Sequence, residues 1–287
     1  MNFSEKKINQ LLSGKSDKDE NFPVSSFLIS KKYSKHIKNL YTFARTADDI
    51  ADHKLISKSD KKKILSKLDQ ILMKKEKTNF TFMNNLIETL IETRVTEDYP
   101  RKLLKAFIQD VEKKRYKNWK ELIQYCDKSA SPIGRFVVDL HGKKSYSKID
   151  LKNIYDGCDK ICNTLQILNH LQDCKEDFIR LDRIYIPELF FNEAKINTNF
   201  FLEKKNRSKF LLIKNKCINK VNILLAEASK KIFLIEDSGL KRETFVIYNI
   251  AKKLSYLLEK NDPIKKKVKL SRIDLIFCFF KGIIGRL

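Results

Sequence analysis

Along this 287-residue chain apolar residues recur every three or four positions, the repeat of a helix that buries one face. No stretch of useful length alternates apolar with polar as a half-buried strand would. The pattern predicts a short lead-in from Phe22, where Pro23 precedes Ser25 and Ser26, running into a helix that ends near Asp52. Further helices are predicted over Ser57–Leu72, Asn84–Arg94, Arg101–Arg115 and Trp119–Asp127, with Pro100 breaking the chain between the second and third of these. The Ser-Ala-Ser-Pro run Ser129–Pro132 interrupts before a helix resumes over Ile133–His141, and Gly142 reads as its C-cap. Ser147–Asp177 reads as one long helix or two in tandem, Arg183–Pro187 as a short extended stop, and Ser208–Phe233 and Arg242–Lys260 as the last long helices. Pro263 then opens a basic tail. With no internal repeat and no low-complexity linker, the expected architecture is one all-α domain of eight or more helices.

Composition agrees. Gly (7) and Pro (5) are too scarce for the many turns of a sheet-rich fold, and 42% apolar residues suffice for a sizeable core. The formal charge of +23 leaves three partner classes open: nucleic acid, an anionic membrane surface or an anionic substrate. The lysines are spread along the whole chain beside abundant Asn and Ile, so much of the excess reads as compositional bias rather than a patch. Basic residues are not interleaved with base-stacking aromatics and no reading helix is legible, so nucleic acid is not expected. Cys126, Cys158, Cys162, Cys174, Cys217 and Cys278 form no C-x-x-C pair, and no His stands at zinc spacing from Cys158 and Cys162. Buried thiols in a reduced, cytoplasmic chain are the expectation. The charged N-terminus has no apolar h-region, and no apolar stretch is long enough to span a bilayer.

Two segments change the picture. In Tyr41-Thr-Phe-Ala-Arg45-Thr-Ala-Asp48-Asp49-Ile-Ala-Asp52, the residues Tyr41, Arg45, Asp48 and Asp52 share one helix stripe, while Phe43, Ala44, Ala47, Ile50 and Ala51 fill the remainder with apolar or small groups. Asp49 points about 100° away from Asp48 and is expected to support the site rather than form it. In the second segment Asn169, Asp173 and Asp177 stand at i, i+4 and i+8, after an apolar run from Ile161 to Leu168 that includes Asn163 and Gln166. Acidic residues are 36 of 287, so roughly four or five acidic i, i+4 pairs arise by chance and spacing alone is weak evidence. Two such pairs on apolar helices, each with an Arg or an amide on the same stripe, are more telling.

Clustered carboxylates repel, and burying a charge is costly. Mg²⁺ removes that penalty; it prefers oxygen ligands and bridges from one or two carboxylates to substrate phosphate. An Asp pair on each side of a diphosphate would stabilise the charge that builds on this leaving group as its C–O bond ionises. The carbocation left behind needs a dry, apolar or aromatic pocket, for which 19 Phe and 10 Tyr are available, although most of them must be ordinary core.

These residues resemble the squalene/phytoene synthase family. The resemblance rests on Asn21-Phe-Pro-Val-Ser-Ser26, on the Tyr41–Asp52 segment, on Asn169-x-x-Gln172-Asp173-x-x-x-Asp177, and on Arg183-Ile-Tyr185-Ile-Pro187, and it covers roughly residues 20 to 270. Within the family the hydroxysqualene-forming branch of the bacterial hopanoid route is the best match. It shares Glu20–Val24, Gln109-Asp110-Val111 with Arg115-Tyr116, and Tyr125-Cys126-x-x-Ser129-Ala130-x-Pro132-x-Gly134-Arg135. The resemblance implies the isoprenoid synthase fold, a helical bundle around a central cavity. It implies presqualene diphosphate as substrate, ionised and rearranged with capture of water to give hydroxysqualene and diphosphate, with Mg²⁺ and without NADPH. It places Asp48 and Asp52, and Asn169, Asp173 and Asp177, as Mg²⁺ ligands, Tyr41 near the leaving group, and Arg45, Arg135, Arg183 and Tyr185 toward the diphosphate. The implied division is a polar segment 1–20, a prenyl-diphosphate domain 21–264 and a basic amphipathic tail 265–287.

Two positions depart from the family pattern. Ser131 and Pro132 stand where members that condense two prenyl diphosphates usually carry Gly and a β-branched residue, which argues against condensation of farnesyl diphosphate. Asp182 stands where Gly often precedes the Arg-x-Tyr-x-Pro stretch, so the local turn is expected to differ. His53 and His170, beside the two Asp motifs but off their stripes, read as surface or helix-end histidines, and His36 and His141 carry no motif. The tail joins Lys265, Lys266, Lys267, Lys269 and Arg272 to an apolar stretch from Ile273 to Phe280. It suits either peripheral contact with an anionic cytoplasmic membrane face or a last helix packed on the core. Two alternatives stay open: a head-to-head prenyltransferase of the same family, and an inactive basic helical protein that binds membrane or nucleic acid.

Overall fold

The structure is a computed structural model that describes residues 12–14, 26 and 28–287. The described residues form twelve α-helices, and their one bridge of strand type is an isolated parallel pairing of Arg115 with Ile184. The chain folds as two compact units, Met1–Glu112 with Pro132–Tyr146, and Lys113–Ser131 with Ser147–Leu287.

The first unit is built on α1 (Lys31–Asp52), which packs against α2 (Lys58–Lys74), α3 (Thr81–Thr93) and α4 (Asp98–Glu112). Ile37, Leu40, Phe43, Ala47 and Ile50 follow the helical repeat and form the buried side of α1. The Ser57 hydroxyl starts α2 by accepting from the Asp60 N–H, and Lys75 and Arg94 end α2 and α3 in the left-handed region. The predicted lead-in around Pro23 lies outside the described residues, apart from Ser26. Pro100 does not break the chain as predicted. It occupies the first turn of α4, where an intrahelical N–H is not required, so the helix begins at Asp98. That helix also stops at Glu112, short of Arg115, because the next residues pair elsewhere: Ile184 N–H donates to Lys114 O at 2.9 Å and Glu188 N–H to Tyr116 O at 2.7 Å. α6 (Ser131–Leu140) completes this unit, with all but its first residue.

In the second unit α7 (Lys148–Gln172) packs on α5 (Trp119–Ser129), α10 (Arg207–Ser229) and α11 (Ser238–Lys260), and α11 carries α12 (Arg272–Ile283). α8 (Cys174–Leu181) and the short α9 (Glu188–Glu193) lie between α7 and α10 in sequence. The Ser-Ala-Ser-Pro interruption shrinks to Ala130, since Ser131 and Pro132 already belong to α6. Of the two readings for Ser147–Asp177, the tandem pair is the one observed. The predicted Ser208–Phe233 helix ends at Ser229 and passes into a 3₁₀ turn, Ile232–Leu234. Lys214, 1% exposed, donates to the carbonyls of Leu258, Glu259 and Asn261 and so satisfies the acceptors left over at the end of α11. All six cysteines are free thiols, and every one but the half-buried Cys162 is buried.

Candidate active site

In the first unit, Tyr41, Arg45, Asp48 and Asp52 are all half-buried on α1, on the stripe that the spacing predicts. Phe43, Ala47 and Ile50, fully buried, fix the helix about its axis and thereby aim the stripe. Arg45 Nη1 donates to Asp48 Oδ2 at 2.9 Å. Although 34% of the Asp48 side chain meets solvent, its carboxyl is pushed up to about 7. Burial is the largest cause and the neighbouring Asp52 carboxylate the next; Arg45 opposes both, and Asp110 and Asp49 add to the crowding. Asp49 itself is buried and turned aside, its Oδ2 accepting from Ser13 N–H at 2.9 Å, which fits a supporting role. Arg135 is half-buried on α6.

In the second unit the stripe is bent. α7 stops at Gln172 and α8 starts at Cys174, with Asp173 between them at φ −100°, ψ 7°. The helical bonding continues through the bend: Asp173 N–H donates to Asn169 O at 2.9 Å and Asp177 N–H to Asp173 O at 2.8 Å. Asn169, Asp173 and Asp177 are all half-buried. Asp173 Oδ1 lies 2.6 Å from the ammonium of Lys267, a tail residue to which the sequence reading gives no site role. Gln172 Nε2 donates to Val268 O at 2.6 Å and holds that part of the tail against the end of α7.

After α8 the chain turns at Asp182, whose φ of 53° is left-handed, the region that glycine enters at least cost. Asp is tolerated in this conformation, and Arg115 fixes it by donating to the Asp182 backbone carbonyl and, at 2.7 Å, to its carboxylate. Arg183 and Tyr185 follow, 5% and 7% exposed, with Arg183 Nη1 donating to the Tyr185 hydroxyl at 3.3 Å. Tyr185 belongs to an aromatic cluster. Its ring stacks on His170 with centroids 3.5 Å apart and planes at 11°, and Tyr116 and Tyr125 lie at 5.5 and 5.4 Å. His170 is thus at a helix end, as expected, and half-buried there. Desolvation, and then Arg183, pushes it down to about 3, so the ring is neutral and its Nε2 can accept from the Gln166 amide at 3.3 Å. Ser131 is also buried, donating to Asn163 Oδ1 at 2.9 Å, and Asn163 donates to Asp127 at 2.8 Å.

Among the described residues no three His, Cys, Asp or Glu side chains converge as a ready-made metal cage. Each stripe instead offers two carboxylates, the number with which Mg²⁺ is commonly held when phosphate and water complete its shell. Asp48 draws a guanidinium and Asp173 an ammonium, and Asp48 is raised first by burial and then by the neighbouring Asp52 carboxylate, both of which a bound cation would offset. The donor sets therefore fit a hard divalent cation.

The sequence matches the family model for squalene/phytoene synthase over residues 16–274. The chain belongs to the squalene/phytoene synthase family. It is 37% identical over 282 residues to the hydroxysqualene synthase of Zymomonas mobilis subsp. mobilis, covering 96% of this chain and 91% of that protein. It is 34% identical over 264 residues to that of Sinorhizobium fredii, covering 90% and 86%. Its fold is that of a dehydrosqualene synthase crystal structure, with a TM-score of 0.76 at 18% identity over 96% of this chain and 95% of the other. Squalene/phytoene synthases act on prenyl diphosphates, and this chain is an enzyme of that class. Sequence reasoning brought out both Asp stripes of this family member and missed three neighbours. Asp110 and His170 were visible, one inside a quoted motif and one next to Asn169, but nothing in the spacing showed that they reach Asp48 and Tyr185. Lys267 carried no local signal at all.

Proposed function

We propose that the chain is a hydroxysqualene synthase. The observation that carries this is 37% identity to such an enzyme over 96% of the chain, with both aspartate stripes present. In the reaction the C–O bond of presqualene diphosphate breaks, diphosphate leaves with the bonding electrons, and the cyclopropylcarbinyl cation rearranges. A lone pair of water closes the cation and a proton is released, which gives hydroxysqualene. Water supplies the electron pair, so NADPH has no part in the balance.

Asp48 and Asp52, and Asn169, Asp173 and Asp177, are the residues that would hold Mg²⁺. Bound there, Mg²⁺ supplies positive charge to the departing diphosphate. Arg45 orients the Asp48 carboxylate through their 2.9 Å hydrogen bond and is assigned to the diphosphate, whose oxygens a guanidinium pairs well. Tyr41, one turn before Arg45, is assigned to the leaving group. Arg183 and Tyr185 act as one hydrogen-bonded unit toward the diphosphate, held in place by the stack on His170. Arg135 is a further diphosphate ligand. Tyr116 and Tyr125 lend aromatic faces beside Tyr185, suited to a cation that must not meet water early. The buried Ser131–Asn163–Asp127 chain stands where condensing relatives usually carry Gly, and a polar link there supports the non-condensing reading. We assign 21–264 to the catalytic domain and 265–287 to an accessory tail.

The test is a product assay by gas chromatography and mass spectrometry on purified protein with Mg²⁺ and no NADPH. Hydroxysqualene from presqualene diphosphate, and no product from farnesyl diphosphate, is the expected result. Presqualene diphosphate formed from farnesyl diphosphate would make the chain a condensing transferase instead.

A further inference from the structure

Among the described residues, helix α12 is held from one side. Its inner side carries the buried Cys278 and Gly282. A Cβ built on Gly282 would lie 2.4 Å from Val246 Cγ2 and 2.5 Å from Val246 N, so α12 meets α11 backbone to backbone. The start of the helix is fixed by a reciprocal Ser271/Asp274 capping box and by the 2.9 Å ion pair of Lys253 with Asp274. Its far end is fixed by Asn249 Nδ2, which donates to Arg286 O at 2.8 Å.

Among the described residues the outer side has no such cover. Ile273, Ile276, Phe277, Phe280 and Ile284 stand at i, i+3, i+4, i+7 and i+11, one stripe, and are 56 to 79% exposed. Phe233 continues this surface. It is 52% exposed and packs edge-on against Phe245, whose ring would lie 3.8 Å from a Cβ on Gly285. Five adjacent large apolar side chains on a rigidly mounted helix exceed the scatter of single exposed residues that any protein surface shows.

Charge selects the occupant. Residues 265–287 hold seven Lys or Arg against one acid, Asp274, and that acid is already paired with Lys253. Lys265, Lys266 and Lys269 are exposed on the segment that leads into α12, Arg272 is exposed at its start and Arg286 just past its end, and the Lys281 ammonium lies 5.0 Å from the centroid of the Phe277 ring. A second copy docking on the same face by a two-fold axis would bring these like charges together. An anionic lipid surface meets both the apolar stripe and its basic rim. At 12 residues, about 18 Å, the helix is too short to cross a bilayer, and no helix among the described residues is long and apolar enough to do so.

We propose that α12 lies in the surface of an anionic phospholipid bilayer, with Ile273, Ile276, Phe277, Phe280 and Ile284 at the acyl boundary and Lys265, Lys266 and Lys269 at the headgroups. This does not depend on which prenyl diphosphate the enzyme uses. The test is flotation of the full chain with vesicles of phosphatidylcholine alone or with about 40% phosphatidylglycerol, beside sedimentation velocity without lipid. The variants are Ile276→Ser/Phe277→Ser/Phe280→Ser and Lys265→Glu/Lys266→Glu/Lys269→Glu, each first shown by circular dichroism to keep wild-type helix content. Since the substituted side chains are exposed, folding is expected to survive. The expected result is salt-sensitive binding to the anionic vesicles, weakened at least tenfold in either variant. Binding that neither variant weakens, or no binding to anionic vesicles, overturns the proposal. So does a dimer in lipid-free solution that the serine variant dissociates, which would give the face to a second copy.

Discussion

Asp48 and Asp52 sit on an unbroken 22-residue helix, whereas Asp173 sits at the bend where α7 gives way to α8. The two stripes also differ in what balances them. Arg45 answers Asp48 from one turn away on the same helix, while Asp173 is answered by Lys267 from the far end of the chain. Asp48 is crowded enough by burial and by Asp52 to be pushed up to about 7. The difference shows that i, i+4 backbone bonding can run on through a bend, as that of Asp173 and Asp177 does. It also shows that a local counter-charge can be read from spacing and a distant one cannot.

The strongest way to break the comparison is to neutralise one member of each stripe. Asp48→Asn and Asp173→Asn are each expected to lower turnover of presqualene diphosphate by about a thousandfold or more, with helix content unchanged. EDTA should do the same reversibly. Near-wild-type turnover in either variant would remove its stripe from the site.

Next come the two counter-charges. Arg45→Lys keeps the charge but loses the planar fork, and should lower kcat/KM by about ten- to a hundredfold. Lys267→Gln should lower it by about threefold or less, because its ammonium neutralises Asp173 without a fork geometry. Steady-state kinetics at varied Mg²⁺ measures both, and equal losses would erase the distinction between them.

The supports of the second stripe give smaller effects, on stability. His170→Ala removes the stacked partner of Tyr185 and should cost about 1–3 kcal/mol, a Tm lowered by roughly 3–6 °C in thermal circular dichroism. His170→Phe, which keeps an aromatic ring and needs no charge, should lose less than half of that. A larger loss in the Phe variant would mean that the Gln166 hydrogen bond matters more than the stack.

The smallest effect is expected at the turn that follows. Asp182→Gly removes left-handed strain of about 1 kcal/mol and loses a largely exposed link to Arg115 of similar size. The Tm should therefore move by less than about 2 °C. A drop well beyond that would show that Arg115–Asp182 holds the Arg183–Tyr185 strand.

Most of the fold was legible because helices announce themselves by a 3.6-residue repeat and by their caps: Ser57, Asn118, Ser147 and Asp237 each accept from a backbone N–H three residues on. Two of the errors fell at Pro100 and at Ser131–Pro132, where proline sits inside a first turn that does not need its N–H, so that the same residue can end one helix or open the next. At the candidate sites, spacing pointed to Tyr41, Arg45, Asp48 and Asp52, and to Asn169, Asp173 and Asp177, because residues one turn apart share a helix face. Sequence alone thus determined the helical class, the two oxygen-rich stripes and the basic, apolar tail. The tertiary structure decided that Asp110 presses on Asp48, that His170 is neutral against Tyr185, that Lys267 reaches Asp173, and which side of α12 is left bare. Those are contacts between residues far apart in the chain, and only the packing of helices against one another fixes their distances.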